Sequence, residues 1–145
     1  MVGLIDSSEW SNLRPILAEW DQKFFPFPWR ESHWNSLVYD YHALIAAYDQ
    51  DKLCGFSLFN TSQGVESYHL LKIYVVQDSR KKGLASDMIK YSIKKFELKQ
   101  IYLEVAVNNI AAIALYESLG FEKLLKKDSF YSDGSDAFAM LLKCD

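Results

Sequence analysis

Apolar residues occur along the chain in short runs separated by polar turns, a pattern typical of β-strands. Within several runs apolar and polar residues alternate, so that one face of each strand would meet a core. Turn residues lie at the ends of the runs, as at Asp49-Gln50-Asp51 and Thr61-Ser62-Gln63-Gly64. The pattern predicts seven strands, over residues 2–5, 43–48, 53–60, 65–76, 101–107, 121–131 and 136–142, the last two joined around Ser132-Asp133-Gly134.

Helical spacing is clearest after Gly83, where apolar residues fall on one face of a predicted helix and lysines fall mostly opposite. The apolar face comprises Leu84, Met88, Ile89, Ile93 and Phe96, and the lysines are Lys90, Lys94 and Lys95. Pro15 suits a first helical turn and predicts a helix from there to about Lys23. Further helices are predicted near residues 31–38 and over residues 111–119, where Gly120 ends the helix.

Residues 24–29 read Phe-Phe-Pro-Phe-Pro-Trp and cannot form a regular helix, because two prolines interrupt them. We expect a packed loop between the first two helices. Its aromatic side chains can serve as ordinary core and lid packing, or as one wall of a substrate groove.

The element order β-α-α-β-β-β-α-β-α-β-β predicts an α+β fold with a mixed, mostly antiparallel sheet and flanking helices. Residues 43–76 form an antiparallel meander, and a central strand-helix-strand crossover then makes two strands parallel and adjacent or nearly so. Ligands collect outside the carboxyl ends of parallel strands, where Val75 and Val107 terminate the runs. The length of 145 residues suits a single domain.

Composition narrows the class of protein. No apolar run approaches the roughly 20 residues of a membrane span, so we expect a soluble, cytoplasmic protein. Cys54 and Cys144 have neither metal spacing nor disulfide density, and we expect reduced thiols. Residues 80–99 carry a net charge of +5 within a chain of −3, which leaves −8 elsewhere. This distribution favours a phosphorylated cofactor and a cationic substrate over nucleic acid, although Lys90 to Lys99 can equally form a solvated helix face.

A strand-turn-helix junction at residues 70–85 is suited to bind a pyrophosphate. The first turn of a helix has backbone N–H groups without intrahelical partners and carries partial positive charge. Gly83 allows a ligand to approach the backbone closely. The same pattern also fits a plain helix start.

Glu104 is a carboxylate in an apolar strand, on the face that Leu103 and Val105 do not occupy. Partial burial is expected to raise its pKa into the range of a general base, the alternative being an exposed residue paired with a lysine. Asn109 suits the N-cap of the helix that follows, and Tyr116 on that helix could be core or catalyst. The three histidines lack metal-ligand spacing, so no metal is expected.

Four segments match a known family in order and spacing. They are Ile73-Tyr74-Val75, Arg80-Lys81-Lys82-Gly83-Leu84-Ala85, Leu103-Glu104-Val105 and the stretch from Asn109 to Phe121. Together they resemble the GNAT acetyltransferases. Phe27-Pro28-Trp29 and the segment from Tyr131 to Ala137 extend the resemblance to the N-terminal protein acetyltransferases, and within them it is closest to the bacterial ribosomal-protein alanine N-acetyltransferases.

The resemblance implies a GNAT-like fold, acetyl-CoA as cofactor and specific residue roles. Glu104 would be the general base, acting directly or through water, and Tyr116 the general acid. Phe27, Trp29 and Tyr131 would bind the substrate. The implied cofactor-binding residues are Ile73, Tyr74 and Val75 along the strand, Arg80, Lys81, Lys82, Gly83, Leu84, Ala85 and Ser86 around the pyrophosphate, and Asn109 at the pantetheine arm.

The implied reaction is acetyl transfer by direct attack to the α-amine of a protein N-terminus, with a ribosomal protein as one candidate acceptor. Two alternatives stay open. A GNAT enzyme can acetylate lysine side chains, polyamines or other small amines, because the acceptor half is carried by loops. A non-catalytic acyl-CoA-binding module would need neither Glu104 nor Tyr116. We expect a monomer or a weak dimer, with no direct contact to nucleic acid or membrane.

Overall fold

Strands and helices follow one another along the chain in the predicted order. The computed structural model describes residues 1–144 and contains, within them, β1 (Val2–Leu4), α1 (Trp10–Phe24), α2 (Glu31–Asn35), β2 (His42–Asp49), β3 (Lys52–Asn60), β4 (Ser67–Val75), α3 (Leu84–Phe96), β5 (Gln100–Ala106), α4 (Ile110–Ser118), β6 (Glu122–Lys127) and β7 (Ala137–Lys143). Short 3-10 turns at Ser7–Glu9 and Gln77–Ser79 precede α1 and α3.

One seven-stranded sheet has the strand order β1-β2-β3-β4-β5-β7-β6. Neighbouring strands are antiparallel except β4 and β5, which are parallel because α3 connects them as a crossover. The predicted α+β class and mostly antiparallel sheet are confirmed. β7 lies between β5 and β6, so the last hairpin adds to the sheet through its second strand.

Two hydrophobic clusters cover the two faces of the sheet. One contains Met88 and Ile89 of α3 and Ile113 of α4, and the other contains Leu17 of α1 and Trp34 of α2. The predicted apolar face of α3 is confirmed, since Leu84, Ile93 and Phe96 also pack against the first cluster. Burying both faces positions β4 and β5 between two helical layers.

Parallel pairing between β4 and β5 covers only their first residues, from Ser67 opposite Gln100 to His69 opposite Tyr102. Beyond His69, β4 stays paired with β3 up to Val75, while β5 stays paired with β7 up to Ala106. The two strands therefore diverge, and an opening forms in the middle of the sheet.

Three predicted boundaries are wrong. α1 begins at Trp10, well before Pro15, which lies inside the helix and leaves the Ser11 carbonyl without its helical donor. Burial of Trp10, whose indole Nε1 donates to the Ile5 carbonyl at 3.3 Å, offsets that cost. α2 ends at Asn35, because Leu37 turns into the core.

The sixth strand ends at Lys127 rather than Tyr131. Ser129 has a positive φ of 51°, which no strand accommodates, and its backbone N–H donates to Asp136 Oδ1 at 2.8 Å. Residues 128–136 therefore form a loop at the mouth of the opening. No helix formed by residues 1–144 has the length and apolar character needed to cross a bilayer.

Candidate active site

The opening between β4 and β5 holds two adjoining clefts, one of about 510 Å³ and one of about 530 Å³. Ile73, Tyr74 and Arg80 line both, as do Ala112 and Leu115 of α4. We call the first the aromatic cleft, since Phe24, Phe25, Phe27, Trp29 and Tyr131 line it, and the second the anion cleft, for the reason given next. A molecule in one cleft can reach a molecule in the other.

The anion cleft is closed at one end by the start of α3. Lys81 and Gly83 both have positive φ, 63° and 76°, and left-handed residues of this kind are typical of nests whose backbone N–H groups bind an anion. No side chain caps the N-terminus of α3, which leaves its first N–H groups and its dipole available to a ligand. Space around Gly83 is open, and the backbone can be approached closely.

Most of the predicted cofactor-binding residues meet in this cleft. Those that line it are Ile73, Tyr74, Val75, Arg80, Lys81, Gly83, Leu84, Ala85 and Ser86. Lys82 does not line it, and Asn109 lines the aromatic cleft instead. Asn109 is the N-cap of α4, since its Oδ1 accepts from the Ala112 N–H at 3.2 Å, and the predicted capping is confirmed.

Arg80 marks the junction of the two clefts. Its Nε donates to the Val75 carbonyl at 2.8 Å, and its guanidinium lies 5.5 Å from the Tyr74 ring centroid. These contacts hold a fixed positive charge beside the carboxyl end of β4.

Glu104 projects from β5 into the aromatic cleft and has three hydrogen-bond partners. His69 Nε2 lies 2.7 Å from Oε1, while Tyr102 Oη and Lys127 Nζ each donate to Oε2 at 2.8 Å. Burial alone would raise the pKa of Glu104, but the three partners outweigh it and lower the pKa to about 2. The expected upward shift is therefore wrong, because the sequence did not reveal the donors.

His69 is the residue that sequence reasoning missed most clearly. It lies opposite Tyr102 in the short parallel ladder between β4 and β5, and this register brings its ring to Glu104. The sequence could have pointed to His69 through the predicted parallel crossover, because pairing of the two strands brings residues of one next to residues of the other. One ring nitrogen of His69 contacts Glu104, so the ring nitrogens have different surroundings.

Tyr116 of α4 lines the same aromatic cleft as Glu104. Burial raises the pKa of its hydroxyl to about 12, with a smaller contribution from nearby Tyr131. The hydroxyl is therefore fully protonated at neutral pH and can donate a proton or a hydrogen bond. Its ring packs edge-on against Phe121 with centroids 5.8 Å apart.

Two loops form the outer wall of the aromatic cleft. Phe27 from residues 25–30 and Tyr131 from residues 128–136 stack with centroids 4.1 Å apart and an interplanar angle of 3°. Trp29 packs beside them against the buried Trp34 at 5.2 Å. The predicted substrate-binding residues Phe27, Trp29 and Tyr131 are thus brought together with Glu104 and Tyr116.

Comparison with known proteins agrees with this geometry. The model of the acetyltransferase (GNAT) family matches residues 14–121. The chain belongs to the GNAT family. The predicted enzyme class, an acetyltransferase, is therefore confirmed.

A curated relative, the N-alpha-acetyltransferase of Saccharolobus solfataricus, is 40% identical over 80 residues, which is 52% of this chain and 48% of that protein. The chain thus matches about half the length of that archaeal relative. The [Ribosomal protein bS18]-alanine N-acetyltransferase of Escherichia coli (strain K12) is 31% identical over 144 residues, 95% of both proteins.

Solved structures share the fold. The crystal structure of the ribosomal-protein-S18-alanine N-acetyltransferase from Escherichia coli matches with a TM-score of 0.81 and 26% identity, covering 99% of this chain and 92% of that chain. Arabidopsis thaliana NAA60 in complex with acetyl-CoA matches with a TM-score of 0.79 and 21% identity, over 99% of each chain. The predicted family and the predicted GNAT fold are confirmed.

Proposed function

We propose that this GNAT protein transfers the acetyl group of acetyl-CoA to the α-amine of a protein N-terminus. The observation that carries the proposal is the meeting of the anion cleft and the aromatic cleft at Ile73 and Tyr74, with Glu104 and Tyr116 in the second. The names of the Saccharolobus and Escherichia relatives support the α-amine as acceptor. A ribosomal-protein acceptor and a cytoplasmic location follow only as predictions from the sequence.

The anion cleft fits the donor. Backbone N–H groups from Lys81 to Ser86 and the uncapped start of α3 would hold the pyrophosphate, and the β5-facing backbone of Ile73 to Val75 would hold the pantetheine arm. Asn109 lies at the junction side, where its amide can contact the same arm. When bound, acetyl-CoA supplies the acetyl group as a thioester.

Three side chains take part in proton transfer, two directly and one by positioning another. The α-amine is largely protonated at pH 7 and must lose a proton before it can attack. We assign this proton to Nδ1 of His69, with Glu104 holding Nε2–H at 2.7 Å, so that Glu104 acts through His69 rather than as a direct base. The neutral amine would then attack the thioester carbon, while backbone N–H groups near Val75 would hydrogen-bond the acetyl oxygen. As the new nitrogen–carbon bond forms and the carbon–sulfur bond breaks, Tyr116 Oη would give a proton to the sulfur, and the second proton lost by the attacking nitrogen would restore the Tyr116 hydroxyl.

Charge in the aromatic cleft favours a single amine beside a neutral side chain. Among the described residues that line this cleft, Glu104 is the only carboxylate, and its oxygens already have three partners. Arg80 adds positive charge, while the charge of Lys72 is paired with the Asp21 carboxylate. A polyamine carries further ammonium groups, which would find no anionic partner here.

The test measures acceptor choice directly. The protein is incubated with acetyl-CoA and a peptide panel that varies at residue one, with α-blocked lysine peptides and polyamines alongside, and the acetyl group is mapped by mass spectrometry. We expect acetyl on unblocked α-amines. Acetyl found only on lysine or polyamine would overturn the proposed acceptor, and no transfer despite CoA binding would favour a binding module.

Variants test the assigned roles. Glu104→Gln and Tyr116→Phe are expected to lower kcat by about 100-fold, the usual effect of losing acid or base assistance, with CoA affinity unchanged. Glu122→Gln and Tyr41→Phe, both exposed and outside the clefts, are the matched controls and should keep full rates. Full turnover in both cleft variants would show that these residues do not carry the proton transfers.

A further inference from the structure

Asp21 is a fully buried carboxylate at the end of α1, directly behind the aromatic wall. Its Oδ2 accepts from the Trp29 backbone N–H at 2.8 Å and from Trp34 Nε1 at 3.0 Å. Its Oδ1 accepts from Lys72 Nζ at 2.6 Å. One carboxylate thus connects α1, the 25–30 loop, α2 and β4.

Lys72 contacts the same loop from the other side. It is 5% exposed, and its Nζ lies 4.5 Å from the Phe25 ring centroid and 5.0 Å from the Trp29 ring centroid. Both distances suit cation–π attraction, which is stronger for a desolvated cation. Asp21 therefore holds the loop by its backbone and Lys72 holds it by two of its rings.

A β-bulge explains why Lys72 faces this side of the sheet. The register of β3 and β4 shifts at Leu71, since Leu58 lies opposite Lys72 while Phe59 lies opposite Leu70. Simple alternation from Tyr68 and Leu70 would direct Lys72 toward α3. The bulge instead directs it toward Asp21, three residues along the strand from His69.

Buried ion pairs are costly, and an apolar pair of similar size often stabilises a fold as well or better. Burial lowers the pKa of Lys72, although the hydrogen bond and charge of Asp21 oppose the shift. Stability alone therefore gives little reason for this pair. Its contacts concentrate on the loop that carries Phe25, Phe27 and Trp29 into the aromatic cleft.

From these contacts we infer that Asp21 and Lys72 are positioning residues that fix the 25–30 loop in the shape that selects the first residue of the acceptor. The inference rests on the proposed function for its acceptor, an α-amine with a neutral neighbouring side chain. The contacts that fix the loop do not depend on which acceptor binds. Neither residue is assigned a contact with the reacting atoms: Asp21 acts through the Trp29 backbone, and Lys72 acts through the rings of Phe25 and Trp29.

The experiment compares Lys72→Met with Lys23→Met. Lys23 forms an ion pair with Glu19 at 2.6 Å on the same helix as Asp21, but both side chains are more than half exposed. For Lys72→Met we expect acceptor KM to rise about tenfold and the preference at residue one to broaden, because a displaced wall costs binding and selection. The KM for acetyl-CoA and kcat should change less than about twofold. Lys23→Met should match the wild type throughout.

Hydrogen exchange gives a readout that needs no turnover. The rings of Phe25 and Trp29 lose their contact with the Lys72 ammonium in Lys72→Met, so we expect the loop to open more often. The Trp29 amide, which donates to Asp21, should then exchange at least about tenfold faster while the β2 and β3 amides keep their protection. If Lys72→Met fails to fold, Asp21→Asn/Lys72→Met removes both charges, keeps an amide oxygen for the indole and backbone donors, and receives the same measurements.

The outcomes separate the two proposals. Unchanged residue-one preference together with unchanged Trp29 exchange would overturn the inference, as would a uniform loss of activity that follows the folded fraction. If the wild-type protein acetylates no α-amine, the proposed function fails. In that case faster Trp29 exchange in the variant still supports the holding of the loop, and unchanged exchange overturns it.

Discussion

Glu104 owes its acidity to partners from three strands, His69 on β4, Tyr102 on β5 and Lys127 at the end of β6. The Lys127 ammonium also lies 5.4 Å from the Tyr102 ring centroid. Each partner stabilises the charged carboxylate, and together they keep it from taking up a proton at neutral pH. A fixed anion of this kind suits the role of holding His69 in one orientation.

Lys127→Met is expected to raise the pKa of Glu104 above its value of about 2, because one charged donor is lost while burial remains. A carbon-detected NMR titration of the Glu104 carboxyl group measures this shift. Lys126→Met is the neighbouring control, since Lys126 pairs with Asp136 at 3.3 Å and not with Glu104. An unmoved Glu104 titration in Lys127→Met would contradict the assigned cause.

Single residues differ in how far the sequence reveals them. Asn109 and Gly83 follow from local rules of capping and turn geometry, and Glu104 stands out as a carboxylate in an apolar strand. His69 and Lys72 do not, because their partners depend on strand register and on a bulge that shifts alternation by one position. The same gap explains why the pKa of Glu104 was predicted in the wrong direction.

The hairpin of β3 and β4 depends on one glycine in a strand. A Cβ at Gly55 would lie 2.8 Å from the Tyr74 carbonyl oxygen, closer than real Cβ contacts. Gly55 pairs with Val75 at the end of β4 that both clefts share. The close approach of the two backbones therefore shapes the strand proposed to hold the donor.

Gly55→Ala is expected to lower the free energy of unfolding by roughly 1–3 kcal/mol, because the Tyr74 backbone cannot yield as a flexible side chain would. It should also raise the KM for acetyl-CoA. Gly3→Ala in β1 is the control and should change stability by less than about 0.5 kcal/mol, since nothing lies within 4 Å of its Cβ position. Urea denaturation measures both, and equal stability of the two variants would refute the steric account.

Element order was predictable, while element ends were less so. The order follows from hydrophobic periodicity, which survives small errors of boundary. The start of α1 was misjudged because the local penalty of Pro15 is outweighed by burial of Trp10, a tertiary effect. The end of β6 was predicted wrongly because Ser129 adopts a left-handed backbone conformation, which a serine does not predict.

The molecule as a whole has a sheet covered on both faces and opened in its middle. α3 and α4 cover one face, and α1 and α2 cover the other. The anion cleft is bounded by α3 and α4, whereas the loop that follows α1 walls the aromatic cleft. The two clefts therefore share β4 and α4, but only the anion cleft is lined by α3 and only the aromatic cleft by the loop that follows α1.

Stability of the whole protein should fall with acid between about pH 4.5 and 2. The folded pKa of Glu104, about 2, lies below the ordinary value of 4.5, so its charge stabilises the fold above that range and the contribution is lost as pH falls through it. The shift corresponds to about 3 kcal/mol. In urea denaturation, Glu104→Gln should be less stable than wild type at pH 7 and equal to it near pH 2.

Glu122→Gln on exposed β6 serves as the control for this series and should follow the wild type at every pH. A constant difference between Glu104→Gln and wild type from pH 7 to pH 2 would contradict the lowered pKa, because the contribution would then be independent of protonation.

The early divergence of β4 from β5 has a consequence for association with other chains. Past His69, the β5-facing backbone of β4 has no strand partner within residues 1–144, so the sheet contains an edge in its interior. Any extended chain of suitable width could attach there, including a segment of an unfolded neighbour. A ligand held along this backbone would occupy the same edge, so a filled cleft and strand addition from a neighbouring chain would exclude each other.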